Sequence, residues 1–229
     1  MSIDWDLIAS SLPVLLEGLE VTAKVHLMSL VIGTLLAGGV VYLRLSAHKL
    51  LQVTASGYVY VLRSTPSLVQ LFLVYYGLAQ FEFIRNGPFW VYLRDPFWCA
   101  IIAFSINLSA SVSEIMRGGI KAVDRGLHEA GRALGLRPHQ RFLHVTLPLV
   151  VRLTLPAYGN EMISLLKRTA LVSLITMLDV TGVARNIVAQ TFAPYEIFIA
   201  AALIYLCLTW GIQRGILAAE RRTSRYLKR

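Results

Sequence analysis

Four charged side chains interrupt the apolar stretch between Leu147 and Leu178: Arg152 near its start, then Glu161, Lys167 and Arg168. A charge in such a run is costly to remove from water, so it marks either an ion pair or a route for something polar. Glu161 and Arg168 are seven apart and share a helical face, whereas Glu161 and Lys167, six apart, do not. Thr169 and Ser173, four apart, offer hydroxyls on one face. Cations meeting a carboxylate, and Glu161 or a hydroxyl meeting an ammonium, would suit a zwitterion in transit. Ion pairing between subunits would use the same residues, and both readings stand on this pattern. Glu114 and Arg117, three apart, read as a structural salt bridge on one helix face. Arg63, beside Ser64-Thr65-Pro66, reads either as an anchoring cation or as part of an inner gate.

Other chemistries are missing. His26, His48, His128, His139 and His144 show no metal-ligand spacing, and Ser109, Ser111 and Ser113 have no catalytic partner. Gly33, Gly38, Gly39, Gly118 and Gly119 read as helix-contact or turn glycines, since no Lys-Ser/Thr follows as in a phosphate loop. Cys99 and Cys207 fall in apolar segments and act as small apolar side chains. No intramembrane catalytic constellation is visible, and the chain carries no sequence expected to bind ATP or a metal.

The elements that position these residues follow from composition. Of 229 residues 56% are hydrophobic and 15% charged, against about 25% charged in an average soluble domain. Disorder, a disulfide scaffold and a soluble domain are excluded as leading readings. Between Lys24 and Arg44 the only acidic or basic side chain is His26; between Arg63 and Glu82, and between Asp95 and Glu114, there is none. Each gap matches the roughly 20 residues that cross about 30 Å of hydrocarbon. Five transmembrane helices are expected, over roughly 18–43, 58–81, 96–116, 150–178 and 196–217. The first is retained in the mature chain, because Asp4 and Asp6 stand where a signal peptide needs a basic region.

The net charge of +9 is explained by its distribution. With five spans, fifteen of the 22 basic residues fall on one side, including Arg44, Lys49, seven from Arg117 to Arg152, and Arg214 with the tail through Arg229. Arg85, Arg94 and Arg185 fall on the other. The positive-inside rule then places the N-terminus outside and the C-terminus in the cytoplasm. Nucleic acid is unneeded as a partner; the lipid bilayer is the partner, and the basic tail over 218–229 suits anionic headgroups.

One cytoplasmic loop, about 117–149, is long in a chain whose other loops are short. Asp124 is placed to cap a helix over 125–134 that carries Leu127, Ala130, Ala133 and Leu134 on one face, with Gly135 as its stop. Pro138 opens a second helix containing Phe142, Leu143 and Val145, and Pro148 is expected to close it. Such a pair could lie on lipid headgroups or dock in a partner's groove.

Glu129-Ala130-Gly131, then Gly135, then nine residues to Val145, then Leu147-Pro148, resembles the EAA loop of ABC importer permeases, with Gly131 and Val145 replacing Ala and Ile. Flanking stretches resemble the polar amino-acid branch, the histidine- and glutamine-type permeases: Tyr60 to Pro66 with Leu68 to Phe72, Glu114 to Ile120, Leu165 to Lys167, and Thr169 to Leu171. The resemblance covers nearly the whole chain.

The resemblance implies an all-α integral membrane protein of the type I importer permease kind, forming a single transmembrane domain over 1–229. It implies a multi-pass protein of the bacterial inner membrane. It also implies a non-enzymatic permease subunit of an ATP-driven importer for polar amino acids or their derivatives. Its partners would be two copies of an ATP-binding subunit, a second permease, identical or paralogous, and an extracytoplasmic solute-binding protein. ATP would be used by the ATP-binding subunit, with no cofactor bound by this chain. Glu129 would be the polar anchor of the coupling element. Ala130, Ala133 and Leu134 would form its packing surface beside Gly131, and Gly135 its tight corner. Family members commonly carry Asp where this chain has Arg168, which leans toward a solute with an extra carboxylate unless a partner permease supplies the acid. The competing function is a non-transporting scaffold that recruits a soluble partner through the cytoplasmic helix pair.

Overall fold

A computed structural model describes residues 4–224. Among them lie twelve α-helices and no strand. Helix α1 (Trp5–Glu17) is capped by Asp4, whose carboxylate accepts from Leu7 N at 2.9 Å. It leads through Gly18 into α2 (Leu19–Arg44), followed by α3 (Lys49–Ser64) and α4 (Ser67–Phe72). The latter runs on through a π turn and a 3₁₀ turn to Gln80. Short helices α5 (Glu82–Arg85) and α6 (Trp90–Leu93) precede α7 (Pro96–Ala122). Helices α8 (Arg125–Ala133) and α9 (Pro138–Arg141) form the loop, and α10 (Leu147–Thr169), α11 (Val180–Thr191) and α12 (Pro194–Ser224) complete the chain.

Four helices are long and apolar enough to cross a membrane: Leu19–Arg44, Pro96–Ala122, Pro138–Ile175 and Pro194–Thr223. They coincide with four of the five expected spans. The remaining segment, 58–81, is a broken helix and not one rod. Pro66 has no N–H and disfavours helical backbone before it, so Thr65 is extended at φ −107° and ψ 141°. Two helices outside the expected spans, α1 and α11, pack with α12 through Ile8, Leu15, Val180, Ala184, Ile197, Ala200 and Ile204.

Lipid tails are as apolar as leucine, so membrane helices are held by close packing and not by hydrophobic burial. Helix α7 meets that need with small side chains: Ala100, Ala103, Ser105, Ser109, Ala110, Ser113 and Gly119 are all buried. Opposite, a Cβ on Gly33 of α2 would stand 2.8 Å from Leu108 and 3.0 Å from the Ser105 carbonyl, so only glycine permits this approach. Gly38, Gly39 and Gly118 have open space where a side chain would stand, with no described atom of this chain beyond the local helix backbone within 4 Å. Polar ties join the bundle: Tyr58 bonds Ser109 Oγ at 2.7 Å, and Thr34 bonds Tyr158 at 2.8 Å.

Pro148 does not end the second loop helix. The chain stays helical from Pro138 to Ile175, through a π turn at Phe142–Thr146. A proline ring clashes with the carbonyl four residues back, here His144, and the wider π turn contains that residue. The loop is therefore joined to α10 without a flexible joint. Of the expected basic tail, Arg225, Lys228 and Arg229 lie outside the described residues.

Candidate functional site

The loop carries one well-defined surface. Asp124 Oδ1 accepts from Gly126 N at 2.7 Å and starts α8. At its other end Gly135 takes φ +72°, its N–H donates to the Arg132 carbonyl at 2.9 Å, and Leu136 N–H donates to the Gly131 carbonyl at 3.0 Å. This pair of bonds is a Schellman C-cap, and its left-handed residue is the one that favours glycine. Glu129, Ala130, Ala133 and Leu134 are exposed, Leu134 at 79%. Gly131 alone in α8 is buried, and a Cβ there would stand 3.2 Å from the Arg141 stem. Glycine in place of alanine lets α8 lie close on the π turn that feeds α10. Pro148 is exposed at the start of that helix.

At this same end of the spans Glu114 makes the salt bridge expected with Arg117, and the structure adds a third member. Arg44 Nη1 donates to Glu114 Oε2 at 2.5 Å, while Arg117 donates from Nη2 to Oε1 and from Nε to Oε2 at 3.3 Å. Both carboxylate oxygens are engaged. Arg44 was legible only as a cation just past its span on the basic side; contact with α7 depends on the α2 crossing, which sequence spacing does not carry.

Farther along α10, Glu161 and Arg168 meet as their spacing implies, with Arg168 Nη2 donating to Glu161 Oε1 at 2.6 Å. Their side chains are 17% and 19% exposed. Lys167 points elsewhere: it is exposed and lines an open groove of about 430 Å³ with Ala170, Ala202, Tyr205, Leu206 and Thr209. No carboxylate lies within ion-pair distance of Lys167 among the described residues. Thr169 is fully buried and donates to the Leu166 carbonyl at 2.7 Å, and Ser173 donates to the Ala170 carbonyl at 2.9 Å, so both hydroxyls are engaged within their own helix in this structure. Helical hydroxyls three residues past a carbonyl readily bond back to it.

A buried polar knot near the groove was not anticipated. Asp179, fully buried, caps α11 by accepting from Gly182 N at 2.9 Å and Thr181 N at 3.2 Å, and Tyr205 of α12 donates to it at 3.0 Å. The Asp-x-x-Gly cap was readable in the sequence; the tyrosine, 26 residues away, was not.

The chain matches the family described as "binding-protein-dependent transport system inner membrane component" over residues 29–225. It is 43% identical to the nopaline transport system permease protein NocM of Agrobacterium fabrum over 218 residues, covering 95% of this chain and 90% of that protein. The histidine/lysine/arginine/ornithine transport system permease protein HisM of Escherichia coli is 33% identical over 212 residues, covering 92% and 89%. Among solved structures, an amino acid ABC transporter crystallised with histidines contains a chain 36% identical, aligned over 97% of this chain and all of that one with a TM-score of 0.85. The MetNI methionine ABC transporter shares the fold at a TM-score of 0.76 and 18% identity. With its broken second span, its capped loop helix and this breadth of similarity, the chain belongs to the family of inner-membrane components of binding-protein-dependent transport systems.

Proposed function

We propose that this chain, acting as one permease domain, is one of two permease subunits of an ATP-driven importer for amino acids or their derivatives. The exposed α8 face, ended by the left-handed Gly135, carries the reading. It presents small side chains and Leu134 to a groove on an ATP-binding subunit, while Gly131 and the unbroken run from Pro138 to Ile175 transmit its movement to α10. Two ATP-binding subunits hydrolyse the ATP, a second permease completes the pathway, and an extracytoplasmic binding protein delivers solute. The loop and C-terminus face the cytoplasm, and the N-terminus faces outward. Glu129, Ala130, Gly131, Ala133, Leu134, Gly135 and Pro148 form the coupling element.

For the solute, the reading is an amino-acid derivative with a carboxylate beyond its α-carboxylate. Arg168 neutralises Glu161, and Lys167 is left as a cation with no carboxylate in ion-pair distance among the described residues. The names of the relatives, nopaline, octopine and histidine/lysine/arginine/ornithine systems, support the amino-acid class. The test is reconstitution in proteoliposomes with the cognate ATP-binding subunit and binding protein, scoring uptake of radiolabelled basic amino acids and their dicarboxylate N-substituted derivatives. ATP-dependent uptake of the latter, lost with Lys167→Gln, is the expected result. Recruitment of the ATP-binding subunit without uptake of any solute would favour a scaffold.

A further inference from the structure

A second charged cluster lies away from Glu161 and Lys167. At the loop end of the spans, Arg44, Ser56, Val59, Tyr60, Arg63, Ser64 and Glu114 line a pocket of about 510 Å³. Its charges do not balance. Arg44 and Arg117 both engage Glu114 through its two oxygens, and Arg63 lines the same pocket as Arg44 and Glu114, so the cations outnumber the one carboxylate. Arg63 has no carboxylate within ion-pair distance among the described residues, although it sits at the last turn of α3 facing the same pocket. The side chain of Arg44 is only 10% exposed, and its Nε has no hydrogen-bond partner. A cluster with this excess of positive charge at a membrane boundary needs a counter-anion.

The walls select the anion. Ser56, Tyr60 and Ser64 line the pocket along with Arg63, so hydroxyl and guanidinium donors share one wall, a donor set suited to several oxygens on one centre. Guanidinium groups pair with phosphate bidentately, and α3 also turns Leu50, Val53 and Val61 outward, which suits acyl chains beside a headgroup. We propose that Arg63, with Arg44 and the Ser56, Tyr60 and Ser64 hydroxyls, forms a phosphate-binding site at the loop end of the bundle. It holds a phosphate group in the gap between α2, α3 and α7, and it is independent of the solute reading above.

The experiment uses the full chain purified in detergent and reconstituted in nanodiscs of phosphatidylcholine with a minor fraction of phosphatidylglycerol. Native mass spectrometry counts retained phosphatidylglycerol, and inorganic phosphate is titrated separately as a soluble competitor. The intact chain should retain the anionic lipid or bind phosphate, and Arg63→Gln should weaken that binding about tenfold, the effect of one charge-assisted contact. Arg63→Lys should restore part of it, and Arg85→Gln, in the loop before α7, should leave it unchanged. Retention of the lipid that millimolar phosphate does not displace identifies the source as a headgroup; displacement, or direct phosphate binding, identifies a free anion. Equal binding by the intact chain and by folded Arg63→Gln and Arg63→Lys overturns the site, as does binding lost equally in Arg85→Gln.

Discussion

The loop end of the bundle and the far half of α10 handle charge differently. At the loop end Glu114 is held by two arginines from two helices, and both its oxygens are engaged. Farther along, Glu161 has one arginine from its own helix, and the neighbouring Lys167 has no carboxylate within ion-pair distance among the described residues. A carboxylate pinned by two elements fixes their relative position; a pair on one helix leaves the surrounding wall free to meet something else. The loop end is also where α8 presents an exposed apolar face, whereas the Lys167 groove is walled mainly by apolar side chains of α12. The contrast is between an end whose helices are tied together by one shared carboxylate and a stretch of α10 with one cation in reserve.

The largest effect should come from the corner of the loop. Gly135→Val places a β-branched residue at φ +72°, a region costing an L-residue about 1–2 kcal/mol and more for a branched one. No side chain is in the way there, so the spans should fold and insert normally while the α8 face is re-aimed. ATP-dependent uptake should fall at least about a hundredfold, because a misplacement of roughly 1 Å in a coupled contact already has large consequences. Normal uptake by a correctly inserted Gly135→Val protein would remove the loop from the rigid end of the comparison.

Next comes Glu114→Gln. It leaves Arg44 and Arg117 as like charges in contact with no carboxylate between them, and losing one partner of a partly buried pair costs about 3 kcal/mol. Thermal unfolding of the detergent-solubilised chain should shift down by several degrees. The same change at the other site should be milder: Glu161→Gln leaves a single arginine that is 19% exposed, with an expected loss of about 1–2 kcal/mol. Equal losses at both positions would erase the distinction between a clamp and a reserve.

How far the sequence revealed these regions depends on whether the contact is local. Charge-free gaps located most of the spans, though not α1 or the charge-interrupted α10, and helical spacing paired Glu161 with Arg168 and Glu114 with Arg117, because partners on one helix are fixed by its pitch. Asp124 and Gly135 were legible as caps for the same reason. Arg44 with Glu114, 70 residues apart, and Asp179 with Tyr205 depend on how helices cross, which no spacing records. Pro148 misled because a proline reads as a stop, while a π turn upstream lets the helix continue. Pro66 did break its helix, and the difference lies in what answers the freed groups around it.

That last point carries the smallest predicted effect. At the Pro66 break Gln70 turns back on the end of α3, donating to the Leu62 carbonyl at 2.8 Å, the Thr65 carbonyl at 3.3 Å and Thr65 Oγ1 at 2.6 Å, while Asn107 of α7 donates to Gln70 Oε1 at 2.9 Å. Carbonyls orphaned at a break inside a membrane have no water to bond, so this amide replaces the missing turn. Asn107→Leu removes only the outer bond of the chain and also removes an Asn oxygen that lacks a partner, so the two changes partly offset. The expected loss is about 1 kcal/mol or less, within the average for interhelical hydrogen bonds in membranes. Gln70→Leu should cost more, because it leaves the Leu62 carbonyl unbonded. A thermal shift for Asn107→Leu as large as that for Glu114→Gln would mean that the break at Pro66, and not the Glu114 clamp, is what fixes the rigid end of the molecule.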